Sequence, residues 1–309
     1  MTSNTVPANT VPANTVPANT VPANTVPANT VPANTVPAML ELTEDGPGRY
    51  LVTQPAESAE GRDVVFIGQL LGQTIMAAAT AAPGKEVRAV HAIFARAGTY
   101  TKPIVLEVDS MHAGRTWASY TITAVQDGRL LCRSLVLLHT AEPDLMRHAP
   151  AMPADVPPPD EVATGPGQVF PGGELRPVGE RTVDGIPRHL VWHRFPGPLG
   201  PQAAHQAVLT WSTCGVIIGL AMRPHQDKVK IEEAHLNLST GVIGHSIHFV
   251  EPLDATRWHL VVTEGTQASG GRIYGRGSVF TEDGQLVATF QQDSMAKEAE
   301  HSLDPRRSM

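Results

Sequence analysis

The residues able to carry chemistry gather in the last third of the chain. His245 and His248 share one strand-like run, His245-Ser-Ile-His-Phe, with Glu251 just beyond it. Neutral imidazole is the usual proton-transfer group near pH 7, so either ring is a candidate acid or base. Residues three apart on a strand point to opposite faces, so at most one of the two enters a given pocket. Cys214 opens an all-apolar run. A thiol at a helix N-terminus can have its pKa lowered and become a nucleophile; in a dry pocket it stays neutral and is only a small buried residue. Gln292 carries an amide able to bind a carbonyl or a water. Gly68 and Gln69 open an earlier apolar run, where they either approach a ligand or let a helix pack closely on a sheet. Cys132 and the four tryptophans read as structural. The sequence holds no P-loop, no paired Cys-x-x-Cys spacing for a metal, and no Gly-x-Ser-x-Gly elbow.

These groups need elements to hold them. From Val64 the chain is apolar at nearly every position until Pro83-Gly84, which predicts a helix over Gly68–Ala82, buried on all sides and stopped by Pro-Gly. Strand-like runs follow at Arg88–Ala97, Pro103–Met111, Arg115–Gln126 and Arg129–Thr140. The last two are joined by Asp127-Gly128, a strong hairpin signal. Prolines and glycines then crowd residues 142–187, which read as a linker wrapping the surface. The pattern recurs after it: an opening strand at Arg188–Phe195, a second apolar helix at Cys214–Met222, and strands at Gly244–Glu251, Arg257–Glu264, Gly271–Thr281 and Gln285–Ser294. Ile122-Thr-Ala-Val-Gln-Asp-Gly and Gly277-Ser-Val-Phe-Thr-Glu-Asp-Gly correspond, as do Phe94-Ala-Arg-Ala and Phe249-Val-Glu-Pro, so the chain contains an internal duplication. One buried helix wrapped by a long antiparallel sheet, present twice, predicts an α+β double hotdog with units at 39–141 and 188–296.

Ahead of these units, Asn-Thr-Val-Pro-Ala repeats seven times without substitution from Asn4 to Ala38. Proline at every fifth position and the lack of charge or aromatic groups leave too little apolar area to offset ordering entropy, so 1–38 and the polar end 297–309 are expected to be disordered. Met39 is a plausible alternative start. The net charge of −7 and pI near 6.0 give no general attraction to nucleic acid or to anionic membranes. Two cysteines argue against a disulfide framework, and no signal-peptide pattern is visible, so a cytoplasmic protein is expected.

Several stretches resemble the acyl-CoA thioesterase II family: Val65-Phe-Ile-Gly-Gln-Leu-Leu-Gly-Gln, Phe94-Ala-Arg-Ala-Gly, Gly114-Arg-Thr-Trp, His245-Ser-Ile-His-Phe and Asp283-Gly-Gln-Leu-Val-Ala. Their order and spacing cover the chain from Arg49 to Met295. The resemblance implies hydrolysis of acyl-CoA or another acyl thioester, without metal or organic cofactor, and a possible homo-oligomer. It also implies a catalytic aspartate at the start of the second helix, a Ser/Thr just before the His-Ser segment, and a glutamine in the last strand. The glutamine falls on Gln292. The aspartate position is Cys214 and the hydroxyl position is Val242, so the family pattern is kept at one place and changed at two. Gly68, Gln69 and Val242 are then candidate substrate contacts, and Cys214, His245, His248 and Gln292 candidate catalytic groups. A related non-hydrolytic enzyme (dehydratase, isomerase or cyclase) and a silent acyl-binding protein stand as alternatives, because a fold alone does not fix chemistry.

Overall fold

The computed structural model describes residues 39–53, 63–165 and 172–299. The repeat at 1–38 and the end from residue 300 lie outside the described residues. The first half contains β1 (Thr43–Glu44), β2 (Arg49–Val52), α1 (Ile67–Ala81), β3 (Glu86–Phe94), β4 (Ile104–Ala113), β5 (Trp117–Gln126) and β6 (Arg129–His139). The second contains β7 (Glu174–Val183), β8 (Ile186–Arg194), α2 (Gln202–Thr213), α3 (Val216–Met222), β9 (Leu238–Phe249), β10 (His259–Ser269), β11 (Arg272–Thr281) and β12 (Leu286–Glu298). The twelve strands form one antiparallel sheet in the order β1-β2-β4-β5-β6-β3-β9-β12-β11-β10-β8-β7. The order mirrors about the β3–β9 seam, where Ala89 pairs with His248 and Ala92 with His245. The fold is the double hotdog, with two sheets fused edge to edge.

Each half wraps its helix for the predicted reason. α1 is buried at eleven named positions along its length, from Ile67 to Ala78, including Leu70, Leu71 and Ile75. An all-round apolar helix must be covered on every side, and α1 is held between the sheet and α2. A Cβ at Gly68 would come within 2.8 Å of the Trp211 carbonyl, and one at Gly72 within 3.3 Å of the Ala207 carbonyl. The two helices therefore run antiparallel at close range. The run Gln202–His225 is apolar and long enough to cross a membrane, but 83% of its most apolar window is buried inside the protein, as in a core helix.

Three expectations change. The second helix begins at Gln202, not Cys214, and is broken in two. The segment 142–187 is not all linker: β7 pairs with β8 across the turn Asp184-Gly185, both at positive φ, the conformation a tight hairpin requires. β12 continues to Glu298, two residues beyond the expected end of the unit. The rest of the linker covers the outer face of the second half. Met152, Val156 and Val162 pack on Trp192, Trp258, Leu260 and Phe280, and Trp192 Nε1 donates to the Pro157 carbonyl at 3.0 Å.

Candidate active site

The site forms where the second helical run breaks. Cys214 leaves the helix with extended backbone, and Gly215 turns the chain at φ 87°. That left-handed conformation suits a residue without a Cβ. The break removes the Gly215 N–H from the helical ladder, and a buried N–H needs another partner. Gln292 on β12 supplies it: its Oε1 accepts from the Gly215 N–H at 3.1 Å. Its Nε2 donates to Ser294 Oγ at 3.0 Å, and the side chain is 0% exposed.

The register of β12 on β9 places His245 opposite Gln292 and Val242 opposite Ser294. His245 is 2% exposed. Its Nε2 lies 3.1 Å from Thr213 Oγ1, and that hydroxyl also bonds the Thr210 carbonyl at 2.8 Å. A threonine hydroxyl has one proton. Since Thr213 gives it to the carbonyl, Thr213 accepts from the imidazole, and His245 carries its proton on Nε2. Nδ1 is then a bare lone pair, buried and without a hydrogen-bond partner. Burial pushes the His245 pKa down to about 4, the nearby Gln292 side chain opposing the shift. The ring is neutral at pH 7.

The surroundings of Cys214 favour its neutral thiol. The residue closes α2 rather than opening a helix, and the C-terminal end of a helix dipole disfavours a thiolate. Burial pushes its pKa up, and Sγ–H points to the Thr210 carbonyl at 3.6 Å. His248 is exposed on the outer face, its ring edge-on to His91 at 5.0 Å, away from His245 as the strand period requires. Glu251 beyond it pairs with Arg147. Gly68 and Gln69 lie buried in α1 and face the protein's own core. Gly68 makes room for Trp211, and the Gln69 amide donates to the Met39 and Thr53 carbonyls at 3.2 and 3.3 Å. Val242 is buried beside the site and adds no polar group.

Three residues that sequence reasoning passed over complete the arrangement: Thr213, Gly215 and Ser294. Ala204, Ala207, Val208 and Trp211 show the helical spacing that would have extended the helix upstream and set Thr213 inside it. Nothing local marks Ser294; only the strand register brings it opposite Val242. A neutral imidazole, an amide with a further N–H, and a hydroxyl thus meet at a helix break in a dry core. This set can bind a carbonyl and order a water. None of its members is a carboxylate.

Comparison with known proteins agrees with the architecture. Residues 55–140 match the model of the acyl-CoA thioesterase N-terminal domain, and residues 147–296 that of its C-terminal domain. The chain is 26% identical to human acyl-coenzyme A thioesterase 8 over 263 residues, covering 75% of this chain and 80% of that protein. It is 26% identical to acyl-CoA thioesterase 2 of Haemophilus influenzae over 260 residues, covering 76% and 88%. The crystal structure of an acyl-CoA thioesterase II from Mycobacterium marinum superposes with a TM-score of 0.71 at 24% identity, covering 86% of this chain and 99% of that one. With its two hotdog units matched in order, the chain belongs to the acyl-CoA thioesterase family.

Proposed function

We propose that the break between α2 and α3 is the hydrolytic centre, and that the protein cleaves acyl-CoA thioesters to a free acid and the CoA thiol. The observation that carries this is Gln292, fully buried and anchored at Oε1 by the Gly215 N–H. Nε2 has two protons, and Ser294 takes one. The other is free to hold a thioester carbonyl or the attacking water, pre-oriented in a low-dielectric setting where such a donor is most effective. No feature of the geometry favours dehydration, isomerisation or silent acyl binding over this reading.

The test is thiol release from short, medium and long acyl-CoAs, followed with a thiol reagent. Cys132 and Cys214 are both buried, so the native protein contributes little signal. Turnover with a preference for one chain length is expected. Absence of turnover across the panel would overturn the proposal.

A further inference from the structure

We infer that His245 Nδ1 is the proton acceptor for hydrolysis, taking over the part that the family pattern gives to a carboxylate at position 214. The inference rests on the hydrolytic reading above and deepens it. The carboxylate is missing because residue 214 is a cysteine whose thiol stays protonated and hydrogen-bonded to the Thr210 carbonyl. One residue earlier in the same break, Thr213 holds an imidazole. The donor–acceptor chain is closed on one side only: Thr213 gives its proton to Thr210, accepts from His245 Nε2–H, and so fixes the tautomer with Nδ1 unprotonated. A buried polar atom with no partner is rare in a folded protein and calls for a use. Nδ1 is such an atom, opposite the amide that the site already needs.

The step balances without any further reactant. The oxygen of water bonds to the thioester carbonyl carbon while one of its protons passes to Nδ1. The carbon–sulfur bond then breaks, the proton on Nδ1 goes to the departing thiolate, and the acid keeps the second proton of the water. The Gln292 side chain, which favours the charged ring, steadies the imidazolium between the two transfers. The elements packed on His245 bring Thr213 from the helix break, Gln292 and Phe290 from β12, and Ala92 from β3. None of these titrates, so no neighbouring charge sets the ring's behaviour.

His245→Gln tests this, because glutamine keeps a donor for Thr213 and removes the basic nitrogen. In wild type that hydrolyses acyl-CoA, kcat should fall about 10²–10⁴-fold in the variant with KM nearly unchanged. Adding Cys214→Asp to His245→Gln should recover part of the loss by restoring a carboxylate at the family position. The wild-type kcat/KM should hold from neutral pH down to about pH 5 and fall below it; the residual activity of His245→Gln should lack that acid limb. Should His245→Gln fail to fold, nitrogen NMR of the wild-type ring decides: Nε2–H with bare Nδ1 at pH 7 is expected. A ring protonated on Nδ1, or a folded His245→Gln enzyme with wild-type kcat, overturns the inference while leaving hydrolysis itself standing. Absence of turnover in wild type strikes at the hydrolytic reading instead.

Discussion

The two halves of this molecule share one fold and differ in what fills one matched set of positions. Counted from the Asp-Gly turn of each closing hairpin, Val136 occupies the position of Gln292 and Leu138 that of Ser294. Their partners correspond too: Val136 pairs with Val90 where Gln292 pairs with His245, and Leu138 pairs with Val87 where Ser294 pairs with Val242. The N-terminal half fills with aliphatic side chains the places that the C-terminal half fills with an amide, an imidazole and a hydroxyl. The helices differ in the same sense. α1 stops at Ala81 before Pro83-Gly84, whereas the second run breaks at Cys214-Gly215 and starts again. A break in a buried helix frees an N–H, and the polar strand residues answer it. Among the described residues, the buried polar set is a local departure from packing at one of two matched places.

Four experiments bear on that contrast, the largest effect first. Gln292→Ala should lower kcat/KM about 100-fold or more, the usual loss when a positioned donor is removed, while Val136→Ala changes turnover only through stability. Steady-state kinetics on the preferred acyl-CoA read both. Equal losses from the two would erase the distinction between the halves.

Acid should loosen the C-terminal half first. Burial depresses the pKa of His193 to about 3 and His245 to about 4, and that of His189 and His259 as well, all in the second half. An unfolded histidine protonates near pH 6.5, so below that the unfolded chain binds more protons and stability falls with pH. Each of the two fully buried rings should remove roughly 1 kcal/mol per pH unit from about 6.5 toward 4. Hydrogen exchange at pH 5 against pH 7 should show β8–β10 losing protection before β4–β6; uniform loss would count against the assignment.

Grafting the polar pair onto the other half, as Val90→His with Val136→Gln, should destabilise by about 2–4 kcal/mol and create no second site. Buried polar groups without partners cost about 1–3 kcal/mol each, and α1 has no break to satisfy them. Denaturant titration and a turnover assay in the Gln292→Ala background check it; new activity there would mean the break is dispensable. The smallest effect is Gly215→Ala, about 1–2 kcal/mol, because a Cβ disfavours φ 87°. No loss of melting temperature would mean the turn at 215 is not strained by a side chain.

The double hotdog was legible because its signals are local. Apolar residues on every face announce a buried helix at α1, and Asp127-Gly128 announces a hairpin, each within a short window. The site was legible only in part. Gln292 and His245 stood out by type, yet His248 looked as good as its neighbour until its strand placed it on the outer face. Gly68 and Gln69 stood open between ligand contact and close packing, because a glycine at the start of a buried helix looks the same whether a substrate or Trp211 approaches it.

By itself the sequence determined the duplication, the kind of element each half contains, and the family it resembles. Periodicity and turn chemistry act between near neighbours, so they are written along the chain. Only the tertiary structure decided which groups meet. Thr213 reaches His245 across 32 residues and Gln292 reaches Gly215 across 77, and neither distance leaves a mark on the local sequence. The same holds for charge state. The neutrality of Cys214 and the bare Nδ1 of His245 follow from burial and from one proton committed at Thr210, which only the folded core imposes.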